Sequence, residues 1–294
     1  MEKDRCRQRD REEWARRGID LHERVKDEQL HWDEWAQKEL VEIPRFPIPV
    51  EIDEVAKLNF PYPTEKWGFL SHVGRILGGL NWREKRVLQL GGSGAQAVKF
   101  AIAGSYPVLL IDPSWETLKL ADRRIRAYGV ESSVFAIQAI AEEMPFPDNY
   151  FDIIFAAYVL HHTILEKSAP EIYRVLKPGG KLCFIEPFEG NNLFKLFRMI
   201  LPYPGKEKRT STYEYPFRDK DLRLLAKVFD GNDYLFFGVF MALTEYLVRL
   251  AGKPKFGYTL SKILQSIDYS ITKRLPVFRR LCLRVGGKLS KKLG

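Results

Sequence analysis

The run RVLQLGGSGAQA at residues 86–97, followed by VLLIDPSWETLKLADRR at 108–124, limits what this chain can fold into more than any other feature. Residues 87–90 read as a buried strand running into a glycine turn. Residues 108–111 read as a second buried strand, ending on an acid, Asp112, 21 residues after Gly91. Strand, glycine turn, helix and acid-ended strand make up the nucleotide-binding half of a doubly wound sheet. Glycine lets the backbone approach a ligand closely, and the acid accepts hydrogen bonds from ribose hydroxyls.

Glycine spacing alone leaves the ligand open. Gly92-Ser93-Gly94-Ala95-Gln96-Ala97 satisfies G-x-G-x-x-A, and Asp112 follows about 20 residues on, as the dinucleotide fingerprint asks. An NAD(P)-dependent oxidoreductase is therefore one reading. Two later segments favour another: MPFPDNYFDIIFAAYVLHH at 144–162 and EIYRVLKPGGKLCFIEPF at 171–188 have no counterpart in that fingerprint. The four segments together resemble class I S-adenosylmethionine-dependent methyltransferases of the small-molecule type, over roughly residues 65–240.

The resemblance implies S-adenosylmethionine as cofactor and assigns roles to individual residues. Gly91, Gly92, Ser93 and Gly94 would lie against the amino-acid and ribose parts. Asp112 would hold the ribose, with Pro113 and Ser114 in the loop that follows. Two positions depart from the family pattern: Gln89 stands where an acid is common, and Ile140 stands where an acid reads the adenine amine. Adenine would then rest on the backbone of Ala141 and on apolar packing. Tyr158, His161 and His162 fall at the carboxyl end of the fourth strand, where ligands approach open α/β sheets. His162 is the candidate general base, the alternative being a histidine that only orders its loop. Glu186 faces the same crevice, as a substrate contact or a cap, while Asp152 positions the start of its strand.

The expected fold is α/β, a doubly wound and mostly parallel seven-stranded sheet, with helical extensions at both ends. Strands are expected at 87–90, 108–111, 134–138, 153–158, 181–185 and 234–240. Helices are expected at 12–41, 67–77, 192–203, 220–229, 259–273 and 277–289. The division is a helical extension and connector at 1–64, a cofactor-binding domain at 65–240 and a basic helical extension at 241–294. The helix at 12–41 either packs on the domain or serves as a lid.

Charge and cysteine usage narrow the setting. The net charge of +9 arises in the last third, where residues 189–294 hold 21 basic and 9 acidic side chains. Residues 271–294 hold eight Lys or Arg and no acid. Such a tail suits an anionic partner, and a basic amphipathic helix suits a membrane interface, although the same apolar face could cover the domain. Cys6, Cys183 and Cys282 show no paired spacing, which argues against a disulfide framework or a zinc site. The expected location is cytoplasmic, with peripheral membrane contact left open. Nucleic acid is disfavoured because the tail lacks interleaved stacking aromatics. The leading function is methyl transfer to a small, apolar or lipid-like acceptor. A methyltransferase fold that only binds is the alternative.

Overall fold

The computed structural model describes residues 20–42, 76, 77, 79–189, 216–238, 264, 267, 268 and 270–293. In chain order the elements are α1 (Leu21–Glu42), β1 (Val87–Leu90), α2 (Ala95–Ile102), β2 (Val108–Asp112), α3 (Trp115–Ala127), β3 (Val134–Gln138) and β4 (Phe151–Ala157). There follow α4 (Leu165–Val175), β5 (Leu176–Pro187), α5 (Asp219–Val228), β6 (Asp230–Phe237) and β7 (Arg284–Ser290). The expected helix at 192–203, the connector near 42–54 and most of the expected helices at 67–77 and 259–273 lie outside the described residues.

Among the described residues, seven strands form one sheet in the order β3-β2-β1-β4-β5-β7-β6. The first five pair in parallel, and β7 pairs antiparallel with both β5 and β6. β1 and β2 are buried along their whole length because helices cover both faces of the sheet there, whereas β3 at the edge is mostly exposed. Alternation along each strand separates two cores. Leu88, Leu90, Leu109, Ile111, Ile154 and Leu182 pack with α4 and α5 on one face. Val87, Val108, Leu110, Ile153 and Phe155 pack with α2 and α3 on the other. Strand order reverses between β1 and β4, so the carboxyl ends of these strands splay apart and leave the crevice where such sheets bind ligands.

The expectation for residues 277–289 is overturned. Pro276–Leu281 forms a 3-10 turn, and Arg284–Ser290 is a strand between β5 and β6. The boundary drawn at residue 240 therefore leaves outside the domain a strand that the sheet contains. The apolar spacing was ambiguous: Val285 and Leu289 are four apart, which suits one helix face and one strand face equally. Gly286-Gly287 disfavours the helix, and close packing decides for the strand. A Cβ on Gly286 would lie 2.2 Å from Ile76 Cδ1 and 3.0 Å from the Phe184 carbonyl oxygen. Val285, Leu289 and Cys282 are fully buried, so this part of the tail covers the domain.

Candidate cofactor and active site

A cavity of about 460 Å³ lies over the carboxyl ends of β1, β2 and β4, with α1 forming its opposite wall. The glycine turn forms its floor. Gly91 and Gly92 take φ of 65° and 89°, in the left-handed region that glycine tolerates. A Cβ on Gly91 would lie 2.6 Å from Val159 Cγ2, so the turn at this point is closed to any larger residue. Gln89 braces the turn from beneath. Its Oε1 accepts from the Ala97 N–H at 2.6 Å and its Nε2 donates to the Gly91 carbonyl at 2.8 Å. A carboxylate could make the first bond but not the second. This is a physical reason for an amide where the family commonly has an acid.

Asp112 joins the two loops of the nucleotide half. Its Oδ2 accepts from the Gly92 N–H and its Oδ1 from the Ser114 N–H, both at 2.8 Å. Each oxygen keeps a lone pair for a further donor. Burial pushes this carboxyl up to about 7, against the pull of the Ser114 and Gly92 N–H groups and with a contribution from Asp33 and Glu28. Pro113, Ser93, Ile140, Ala141 and Tyr158 line the same cavity. Arg124 Nη1 donates to the Ser93 carbonyl at 2.7 Å and to its hydroxyl, tying α3 to the turn.

Two expected contacts fall outside the cavity lining. Gly94 is the N-cap of α2, where a Cβ would lie 2.9 Å from Ala121 Cβ, so helix packing explains it. Ser114 is fully buried and caps α3: its Oγ accepts from the Thr117 N–H at 3.0 Å and donates to Asp33 at 2.6 Å. Both residues shape the site without lining it.

The histidine pair divides its work. Buried Glu186 accepts from the N–H groups of Val159, Leu160 and His161 and pairs with His161 Nδ1 at 2.5 Å. His161 and Glu186 therefore hold the loop after β4 in shape. His162 turns the other way, lines the cavity, and places Nδ1 3.2 Å from the Glu28 carboxylate of α1. Trp32 Nε1 donates to the same carboxylate at 3.1 Å, and its ring meets His162 edge to face at 5.4 Å.

The sequence left α1 as either a packing helix or a lid and named none of its residues for the site. Arg24, Val25, Glu28, Trp32 and Trp35 all line the cavity. Gln29 donates to the Pro113 carbonyl at 3.0 Å, and Asp33 receives Ser114 Oγ and the Glu116 N–H. Val25, Trp32 and Trp35 are apolar residues of the helix expected at 12–41. Arg24 and Glu28, one helical turn apart, are charged yet only 4% and 5% exposed. The helix is therefore a cap over the crevice and part of the site wall.

Residues 88–184 match the family described as a methyltransferase domain. Over residues 88–184 the chain thus carries a methyltransferase domain. Among curated relatives, the ubiquinone/menaquinone biosynthesis C-methyltransferase UbiE of Psychromonas ingrahamii is 34% identical over 151 residues, covering 48% of this chain and 60% of that protein. UbiE of Proteus mirabilis is 40% identical over 108 residues, covering 35% of this chain and 43% of that protein. The chain thus spans about half the length of the curated relatives it matches. In fold, the methyltransferase domain is similar to a provisionally assigned S-adenosylmethionine-dependent methyltransferase from Listeria monocytogenes. That likeness has a TM-score of 0.53 and 17% identity, and covers 79% of this chain and all of that one. An S-adenosylmethionine-dependent methyltransferase from Mesorhizobium loti gives 0.50 at 15% identity, covering 76% and 97%. The nicotinamide reading gives way to the methyltransferase domain. No described helix is long and apolar enough to cross a membrane, and no described cluster of His, Cys, Asp or Glu could hold a metal.

Proposed function

We propose that this chain is an S-adenosylmethionine-dependent methyltransferase acting on a small, lipid-like acceptor. The observation that carries the reading is the cavity itself, with the glycine turn and the bidentate Asp112 on one side and the tryptophan-bearing cap helix on the other. S-adenosylmethionine would supply a methyl group activated by its sulfonium charge, so the protein chiefly has to position groups and exclude water. Asp112 offers its two spare lone pairs to the ribose hydroxyls. Gly91 and Gly92 let the backbone lie against the ligand. Trp32, Trp35, Val25 and Val159 give an apolar surround that suits an apolar acceptor. With Nδ1–H directed at Glu28, His162 keeps its basic lone pair on Nε2, where it can take a proton from an acceptor hydroxyl or acidic carbon. The carbon-methylating quinone-biosynthesis relatives point to a ring carbon on a prenylated acceptor as the first chemistry to try.

Titration calorimetry with S-adenosylhomocysteine is expected to show micromolar or tighter binding, and a chain that leaves this ligand unbound would not be such an enzyme. Incubation of an extract with cofactor carrying a labelled methyl group then separates turnover from binding alone. Label appearing in a lipid-extractable product is the expected result, whereas binding without any labelled product supports a binding protein on the methyltransferase fold.

The C-terminal face adds a proposal about location. Leu275 and Val277 are 51% and 70% exposed, next to exposed Lys273, Arg274 and Arg280. An apolar tip flanked by cations is the composition that settles at an anionic lipid surface. Sedimentation with phosphatidylglycerol vesicles is expected, with little on phosphatidylcholine, and Leu275→Asp with Val277→Asp should abolish it. Equal recovery of variant and parent chains in the vesicle pellet would remove the proposal.

A further inference from the structure

β3 ends the sheet, and among the described residues nothing pairs with its outer side. Its hydrogen-bonding direction follows from its two ends. Val108 N–H donates to the Ser133 carbonyl at 2.9 Å, and Ala139 N–H donates to the Asp112 carbonyl at 3.4 Å. Backbone groups alternate between the two sides of a strand, so residues 133, 135, 137 and 139 serve β2. Ala136 and Gln138 therefore turn N–H and C=O away from the sheet, while the Val134 N–H is taken by the Val130 carbonyl at 3.0 Å. Edge strands are normally blunted by charge, proline or a bulge. At the opposite edge, β6 carries Asp230 and Asp233 with a register shift between them. β3 reads VFAIQ, without charge or proline, and keeps step with β2 throughout. Its middle is bare on both faces: Phe135 is 41% exposed on one and Ala136 is exposed on the other.

We infer that two copies of the chain join at this edge, β3 against β3 in antiparallel order about a two-fold axis at Ala136. In that register the strand is complementary to itself. Ala136 of each copy donates its N–H to the Ala136 carbonyl of the other, the closely spaced hydrogen-bonded pair of an antiparallel ladder. The Gln138 N–H of each copy meets the Val134 carbonyl of the other, so every outward N–H finds an acceptor. Phe135 lies opposite Ile137 of the second copy, twice, in the non-hydrogen-bonded pairs where side chains come closest. An aromatic ring across from a β-branched side chain is a favourable pair, and it covers the exposed part of Phe135. A shift of two residues towards the start of the strand would need the Val134 N–H, which Val130 already holds. One pairing uses up the edge, so assembly closes at two. A seam of five residues a side lies at the low end of interface sizes, so the dimer is weak.

Sedimentation velocity on the full chain between about 1 and about 100 µM is expected to show monomer giving way to dimer, the range that suits so small a seam. Ala136→Pro removes the central outward donor and leaves the β2 ladder intact, because edge strands accept proline on their solvent side. This variant should stay monomeric across the whole range. Phe135→Lys spares the backbone but sets an ammonium group opposite Ile137, and should raise the dissociation constant about tenfold or more. It carries the test alone if the proline variant does not fold. Hydrogen exchange gives a second reading. In the parent chain the Ala136 and Gln138 amides should slow as concentration rises through the transition, while those of Phe135 and Ile137, already bonded to β2, should not change. A parent chain still monomeric at about 100 µM, assemblies larger than two, or a dimer that folded variants leave unweakened overturns the assignment.

Discussion

Gly287→Val is expected to leave little folded protein, with a loss of about 3 kcal/mol or more in urea unfolding and poor recovery from the soluble fraction. The new Cβ would lie 2.5 Å from Phe184 Cε1 and 2.8 Å from Cζ, and the two further valine methyls would need room beyond that. Phe184 cannot yield. It is fully buried, its ring meets Phe217 and Tyr234, and its own strand is paired on both sides. Deleting residues 284–294 should do worse, because β7 fills the gap between β5 and β6 and pairs with β5 from Lys181 to Pro187. Without it two strand edges lie open and Val285 and Leu289 leave the core. A truncated chain that still melted cooperatively and bound S-adenosylhomocysteine would show that β7 is dispensable. Membrane contact is for this reason best probed by surface substitution at Leu275 and Val277, which spares the sheet.

Asp112→Ala is expected to weaken S-adenosylhomocysteine binding by 100-fold or more, since two charge-assisted hydrogen bonds to the ribose are lost at about 1.5–3 kcal/mol each. The parent chain should also show a pH dependence that the variant lacks. Burial places the Asp112 carboxyl at about 7, and only the ionised form offers both acceptors. Affinity should therefore be full above pH 7 and fall towards a limiting slope of about tenfold per pH unit below it. The fold responds with the opposite sign. A carboxyl whose folded value is raised from 3.8 favours folding in its protonated form, so its contribution to stability declines as pH rises from about 4 to about 7. Calorimetry at pH 6, 7 and 8 on both chains checks the binding half. A flat profile in the parent chain, or a variant that binds as well, would mean that the ribose lies elsewhere.

Much of the nucleotide half was legible because local and tertiary signals agree there. Residues 87–90 and 134–138 were read with their observed bounds, since a short apolar run ended by glycine or polar turn residues allows little else. Asp112 was legible through its distance from the glycine turn. Gln89 was seen, but its role was not: the brace to Ala97 and Gly91 depends on a turn geometry that sequence spacing does not encode. Arg24 and Glu28 illustrate a different limit. On an exposed helix they would be ordinary charges, and only the seating of α1 over the crevice gives them buried partners. At 284–290 the spacing served two structures, and close approach of Gly286 to Ile76 and Gly287 to Phe184 chose between them.

The position of β7 in the sheet also bears on synthesis. A ribosome delivers β5 and β6 well before residues 284–290 exist, so the nascent chain must hold apart two strands that will never pair with each other. Until the last strand slots between them, their unpaired edges are open to any passing extended segment. Completion of this part of the sheet thus waits until residues 284–290 have been made, and the interval before that is when this protein is most in need of a chaperone.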